Sequence, residues 1–151
     1  MTSFIVFFVL TATAASLGAI FTPGPWYAAL AKPALTPPNW VFPLVWTILY
    51  VMIALAGWLL WRGRERDRLG HVAVTIWGLQ LGLNAAWSWL FFGLHLIGIA
   101  LTEIFLLLAA VLATIVLARR TSPTAGWLLV PYLAWAGFAA WLNYAIWRLN
   151  G

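Results

Sequence analysis

A bundle of five membrane-spanning helices, all-α and with one long structured loop between the first and second, is the fold class this sequence predicts. Three observations carry it. Apolar residues make up 65% of the chain and charged residues only 7%, too few to coat a globule in water. Five stretches are long enough to cross about 30 Å of hydrocarbon, which takes roughly 20 helical residues. None alternates as a strand would, and in lipid only helices or closed barrels satisfy their own backbone groups. At 151 residues the chain makes one membrane domain, 1–151.

The first span covers residues 3–21 and carries no charge. It lacks a basic segment ahead of the apolar run, so it reads as a retained span and not as a cleaved signal peptide. The connector that follows, residues 22–40, is rich in tryptophan and proline. Trp26–Ala31 has room for one or two helical turns, which Pro33 stops, and Thr36-Pro37-Pro38 favours extended polyproline geometry. The second span, 41–61, is uncharged, with Pro43 in its first turn where a missing N–H costs little. The third is 71–92. The fourth, 97–117, holds a single acid, Glu103. The fifth, 123–147, opens on Ser122-Pro123, an N-cap residue followed by proline at the first helical position. Pro131 lies inside it and frees the carbonyl of Trp127, which predicts a kink.

Net charge is +5, and its placement is more telling than its sum. Arg62, Arg64, Arg66, Arg68, Arg119 and Arg120 fall on the side that also holds the N-terminus. Lys32 and Arg148 fall on the other. The arginine-rich side is therefore cytoplasmic and the connector faces outward. The arginines read as an anchoring loop, with no nucleic-acid partner expected. The expected location is a bacterial cell envelope, in the inner or the outer membrane. There is no cysteine, which excludes disulfides and thiolate chemistry. His71 and His95 lie near span ends, far apart and without a ligand cluster, so no metal site is expected.

Twelve tryptophans exceed what two interfacial belts require. Trp46 and Tyr50 stand four apart, on one helical face. Gln80, Asn84, Trp87 or Ser88, and Phe91 follow helical spacing, as do Pro131, Trp135, Phe138 and Leu142. The amides are costly in hydrocarbon and should face the interior. A cavity with aromatic walls and sparse amides suits a flat amphiphilic ligand; the alternative is that these rings simply pack the helices together. Glu103 has no base at matching depth and no second acid, so a structural hydrogen bond to another helix is favoured over acid–base work. No nucleophile with its base and no nucleotide motif is present, so no catalytic residue is assigned. Gly78-x-x-x-Gly82 permits close helix approach and marks a homodimer face on the third span, with internal packing as the alternative.

The residues Trp26-Tyr27, Leu30, Lys32-Pro33, Thr36–Pro38 and Trp40–Thr47 together resemble the translocator protein family, also called tryptophan-rich sensory proteins or peripheral benzodiazepine receptors. The likeness continues through Gln80, Asn84, Trp87 and Phe91–Gly93. It is densest over Pro131-Tyr132-Leu133, Trp135, Phe138-Ala139, Leu142–Tyr144 and Trp147-Arg148. The resemblance implies a first loop that caps a pocket among the helices, and a pocket that binds porphyrins and synthetic hydrophobic ligands. Carried over by it are Trp26, Tyr27, Trp46, Asn84 and Trp135; helical spacing adds Trp40, Phe42, Tyr50, Phe91 and Phe138. No cofactor is obligatory, and a porphyrin- or haem-type ligand is expected. The implied role is tetrapyrrole transport or sensing, with Lys32 meeting the ligand's carboxylates and loop movement gating access. Two alternatives stand beside it: light- or oxygen-dependent porphyrin degradation, and a membrane scaffold whose ligand modulates partner contacts. Leu142, Tyr144 and Arg148 fit a proposed cholesterol pattern, and animal members are associated with cholesterol through this region. The chain departs from the family at Leu35, where members usually carry tryptophan, and at Glu103, where they often carry aspartate.

Overall fold

Each of the five apolar stretches becomes one long helix, and the connector contributes a sixth, short one. The computed structural model describes residues 2–151, with no strand among them. Helix α1 is Thr2–Ile20, the short α2 is Pro25–Ala29, α3 is Val41–Gly63, α4 is Gly70–Ser88, α5 is Ile97–Thr121 and α6 is Pro123–Asn150. A 3-10 turn, Arg64–Arg66, follows α3, and a π-helical turn, Trp89–Gly93, finishes α4. The third predicted span thus ends in a wider coil, where Leu94 N–H donates to the Trp89 carbonyl at 2.8 Å.

Among the described residues, four stretches are long and apolar enough to cross a membrane: Ser3–Ile20, Val41–Arg66, Ile97–Thr121 and Pro123–Asn150. Helix α4 is as long as α1, at 19 residues, but is not among them. Its composition is diluted by His71, Gln80 and Asn84. Gln80 and Asn84 are buried against neighbouring helices, so they meet protein instead of lipid. Such residues lower mean hydropathy without forbidding a membrane position.

The two ends of the bundle are tied differently. At one end Phe4 meets Trp58 edge-on, with ring centroids 5.4 Å apart. There Gly63 packs directly against the Thr121 carbonyl. The start of α1, the end of α3 and the α5–α6 turn therefore share one end, as the alternation of spans requires. Arg62 lies over the Trp58 ring at 5.0 Å and Arg64 over Trp61 at 3.8 Å, an arrangement that holds arginine stems along an apolar surface. At the other end Phe21 packs on Gly93, and Asn150 bonds to Ala31 of the connector.

Ser122 occupies the N-cap of α6 with extended backbone, and Pro123 follows at the first position. The cap works through the main chain only: the Ser122 carbonyl accepts from Ala125 and Gly126 N–H, and its hydroxyl makes no capping bond. Pro131 sits within an uninterrupted helical run. The main core lies between α3, α4, α5 and α6, around Ile53, Leu60, Trp77, Val111, Leu129 and Tyr132. One glycine is dictated by it. A Cβ on Gly57 would run into the Trp77 ring, whose Nε1–H donates to the Ile53 carbonyl at 2.9 Å.

Candidate functional site

Small residues on α1 create the room. Ala15, Gly18 and Ala19 line one wall of an interior cavity of about 330 Å³. A Cβ on Gly18 would sit 3.5 Å from the Ser88 hydroxyl and 3.7 Å from the Tyr50 hydroxyl, so a larger side chain there would project toward the facing wall. Opposite stand Phe42, Trp46 and Tyr50 from α3, Trp87 and Ser88 from α4, Phe92 from the π turn, and Trp135 and Ala139 from α6. The mouth is flanked by Thr22, Pro23 and Asn39, at the two ends of the connector.

The inner end carries a polar relay across three helices. Tyr50 O–H donates to Asn84 Oδ1 at 2.6 Å. Asn84 Nδ2–H donates to the Tyr132 hydroxyl at 3.2 Å. Both Asn84 and Tyr132 are buried, so each bond satisfies a group that has no water to fall back on. A second amide fixes a wall: Trp87 Nε1–H donates to Asn143 Oδ1 at 3.1 Å, and Asn143 Nδ2–H donates to the Ile97 carbonyl at 2.9 Å. Trp46 stacks on Tyr50 at 5.3 Å and meets Tyr132 edge-on at 6.1 Å. Trp135 meets Phe42 edge-on at 5.9 Å. Its Nε1 is buried with no hydrogen-bond partner.

Of the residues expected at the site, Phe42, Trp46, Tyr50 and Trp135 line the cavity, and Asn84 supports it through Tyr50. Trp26, Tyr27 and Phe91 do not line it. They form a neighbouring cluster with Ala100, Leu142 and Ile146 on which the connector docks. Trp26 stacks on His95 with centroids 3.9 Å apart, while His95 holds the left-handed φ of 59°, a conformation costly for a non-glycine residue. Burial raises the Tyr27 phenol above its ordinary pKa. Trp40 is 67% exposed because it precedes α3 and points away from the bundle. Phe138 lines a separate outer groove, since it lies three residues beyond Trp135 and turns past the cavity wall.

Lys32 does not reach the cavity. Its Nζ donates to the carbonyls of Tyr27 at 2.7 Å, Leu30 at 3.0 Å and Ala28 at 3.2 Å, closing the end of α2. Leu142 is buried, whereas Tyr144 and Arg148 are exposed, so the three residues of the sterol pattern do not share one surface. Around Gly78 and Gly82 there is open space. Gln80 and Glu103 are buried, and their polar side-chain atoms find no partner among the described residues, which corrects the expected hydrogen bond from Glu103 to another helix. His71 bonds the exposed Glu65 at 3.2 Å.

Sequence reasoning missed Ala15, Gly18 and Ala19 as cavity residues. Small residues on an apolar span carry no signal that separates close helix packing from space left open. Asn143 was also missed, and a buried amide three residues beyond an α6 alanine pair carries no sequence signal of its partner.

The TspO/MBR family profile matches residues 5–148. The chain belongs to the TspO/MBR family. Protein CrtK of Rhodobacter capsulatus is 37% identical over 150 residues, covering 99% of this chain and 94% of the relative. The translocator protein of Homo sapiens is 43% identical over 128 residues, covering 83% and 75%. The tryptophan-rich sensory protein of Cereibacter sphaeroides is 37% identical over 147 residues, covering 97% and 90%. Family membership and the four apolar helices make this TspO/MBR chain an integral membrane protein.

Proposed function

We propose that the chain binds a tetrapyrrole, or another flat hydrophobic molecule, in the cavity between α1, α3, α4 and α6, in the service of transport or sensing. The observation that carries this reading is the cavity wall: Phe42, Trp46, Tyr50, Trp87, Phe92 and Trp135 surround one space of about 330 Å³. That volume is at the lower end for ligand pockets. It takes one edge of a macrocycle, leaving the carboxylate-bearing edge at the mouth. There Thr22 and Asn39 supply a hydroxyl and an amide. Lys32 is committed to backbone carbonyls and is not assigned a role. Each ring contact is worth about 0.5–1.5 kcal/mol beyond burial. In this reading α4 also crosses the bilayer and completes five spans, the arginine-rich end is cytoplasmic in a bacterial envelope, and Gly78 and Gly82 seat a second copy.

The test is titration of the purified protein with protoporphyrin, followed by quenching of intrinsic tryptophan fluorescence. Trp135→Phe should weaken affinity by about two- to tenfold, the loss of roughly one ring contact. Unchanged affinity in both Trp135→Phe and Trp46→Leu would remove the cavity assignment. A second reading, porphyrin breakdown under light or oxygen, draws on the contiguous redox-active rings of Trp46, Tyr50 and Tyr132. It requires a defined product in more than stoichiometric amount from illuminated protein with excess porphyrin.

A further inference from the structure

The cavity shares one wall with a second space. Between α3 and α6, on the outer surface, lies a groove of about 450 Å³ whose lining includes Ile48, Met52, Pro131, Ala134, Trp135 and Phe138. Every residue along it is apolar. Ile48 is 56% exposed, and Pro131 and Ala134 are exposed as well, so in a membrane this groove opens onto acyl chains. Trp135 lines both the groove and the interior cavity. It is the one residue that the two linings share.

That indole is held less firmly than its neighbours. Trp77 is fixed by a bond to the Ile53 carbonyl at 2.9 Å, and Trp87 by a bond to Asn143 at 3.1 Å. Trp135 Nε1 has no partner. Its ring is held by packing without a hydrogen bond, against Phe42, Phe138 and the edge of the main core. The helix beneath it is also built to yield. Pro131, one turn earlier, removes an intrahelical hydrogen bond. On its own helix the positions three and four away are Pro131, Tyr132, Phe138 and Ala139, so the one small neighbour on its face is Ala139, which lines the cavity.

The connector, by contrast, is tied down. Asn150 grips Ala31 through both amide atoms, at 3.0 and 2.9 Å, Lys32 closes α2, and Tyr27 is buried beneath it at 3% exposure. Lifting it breaks several bonds at once, whereas turning Trp135 breaks none. An apolar ligand is already concentrated in the bilayer, because leaving water is favourable.

We propose that hydrophobic ligands pass between the bilayer and the cavity sideways, through the α3–α6 groove, with Trp135 as the door. This rests on the ligand-binding reading above and adds the route. It replaces the expectation that movement of the connector gates access.

The experiment uses the full chain in liposomes and protoporphyrin dissolved in the same membrane, with energy transfer to the porphyrin read by stopped flow. Ala134→Phe and Ile48→Phe each fill the groove from positions that do not themselves line the cavity. Leu112→Phe, on the exposed face of α5, is the control. Each groove variant should slow association and dissociation together by about tenfold, the effect of about 1.4 kcal/mol of overpacking at the narrow point. The equilibrium affinity should stay within about twofold, and the control should match the parent. Wild-type rates in both groove variants overturn the lateral route and leave the cavity assignment standing. Absence of any porphyrin signal from the parent protein overturns the ligand reading and the route with it.

Discussion

Replacing Asn84 by leucine probes the relay that closes the inner end of the cavity. Asn84 accepts from Tyr50 at 2.6 Å and donates to Tyr132 at 3.2 Å. Leucine keeps the branched shape and removes both bonds. Tyr50 borders the cavity and can turn its hydroxyl into it, so its loss is small. Tyr132 is fully buried, and Asn84 is its hydroxyl's partner among the described residues. A buried hydroxyl left unpaired costs about 1–3 kcal/mol. For a chain of this size about 2 kcal/mol corresponds to a fall in Tm of about 4–8 °C. Thermal unfolding in detergent, followed by tryptophan fluorescence, reads it. Substituting both partners by apolar groups should be nearly neutral. In a Tyr132→Phe background, Asn84→Leu should therefore cost less by about 1 kcal/mol. Gln80→Met supplies the contrast: its amide is buried without a partner, so the variant should match or exceed the parent Tm. An Asn84→Leu protein as stable as the parent, or a Gln80→Met protein that loses as much as Asn84→Leu, would mean that the Asn84 bonds do not hold this end of the bundle.

Other outcomes follow from the same geometry. Gly57→Leu should lower Tm by more than Asn84→Leu, because the side chain displaces Trp77 and breaks its bond to Ile53; calorimetry decides, and a smaller fall would show that α3 and α4 part easily. Asn150→Ala should free the connector, seen as faster amide exchange at residues 25–32 with little change in α3. Unchanged exchange there would mean that Lys32 and Tyr27 suffice to hold it. Glu65→Gln removes the ion pair to Arg64 and the charge of the carboxylate that contacts His71, yet surface pairs are worth little, and Tm should move by less than about 1 °C.

Helix positions were legible because lipid imposes a length and forbids unpaired backbone. All five long helices begin within a residue or so of the apolar runs. The ends ran on further: α5 continues to Thr121 and α6 to Asn150, since a helix does not stop where the hydrocarbon does. The π turn at Trp89–Gly93 carries no hydropathy signal and was not foreseen. At the site, Trp46 and Tyr50 fell together because spacing of four fixes a face. Trp26 and Phe91 were placed by spacing and family likeness, neither of which distinguishes a cavity wall from the aromatic cluster behind it. Lys32 shows the same limit. Charge suggested a carboxylate partner, whereas three carbonyls at the end of α2 lie within its reach.

The most direct measurement is a structure of the chain solved with protoporphyrin bound. The macrocycle's edge should lie against Trp46 and Trp135, with its carboxylates near Thr22 and Asn39. Macrocycle density confined to the outer surface, with the space among α1, α3, α4 and α6 filled by its own side chains, would contradict it.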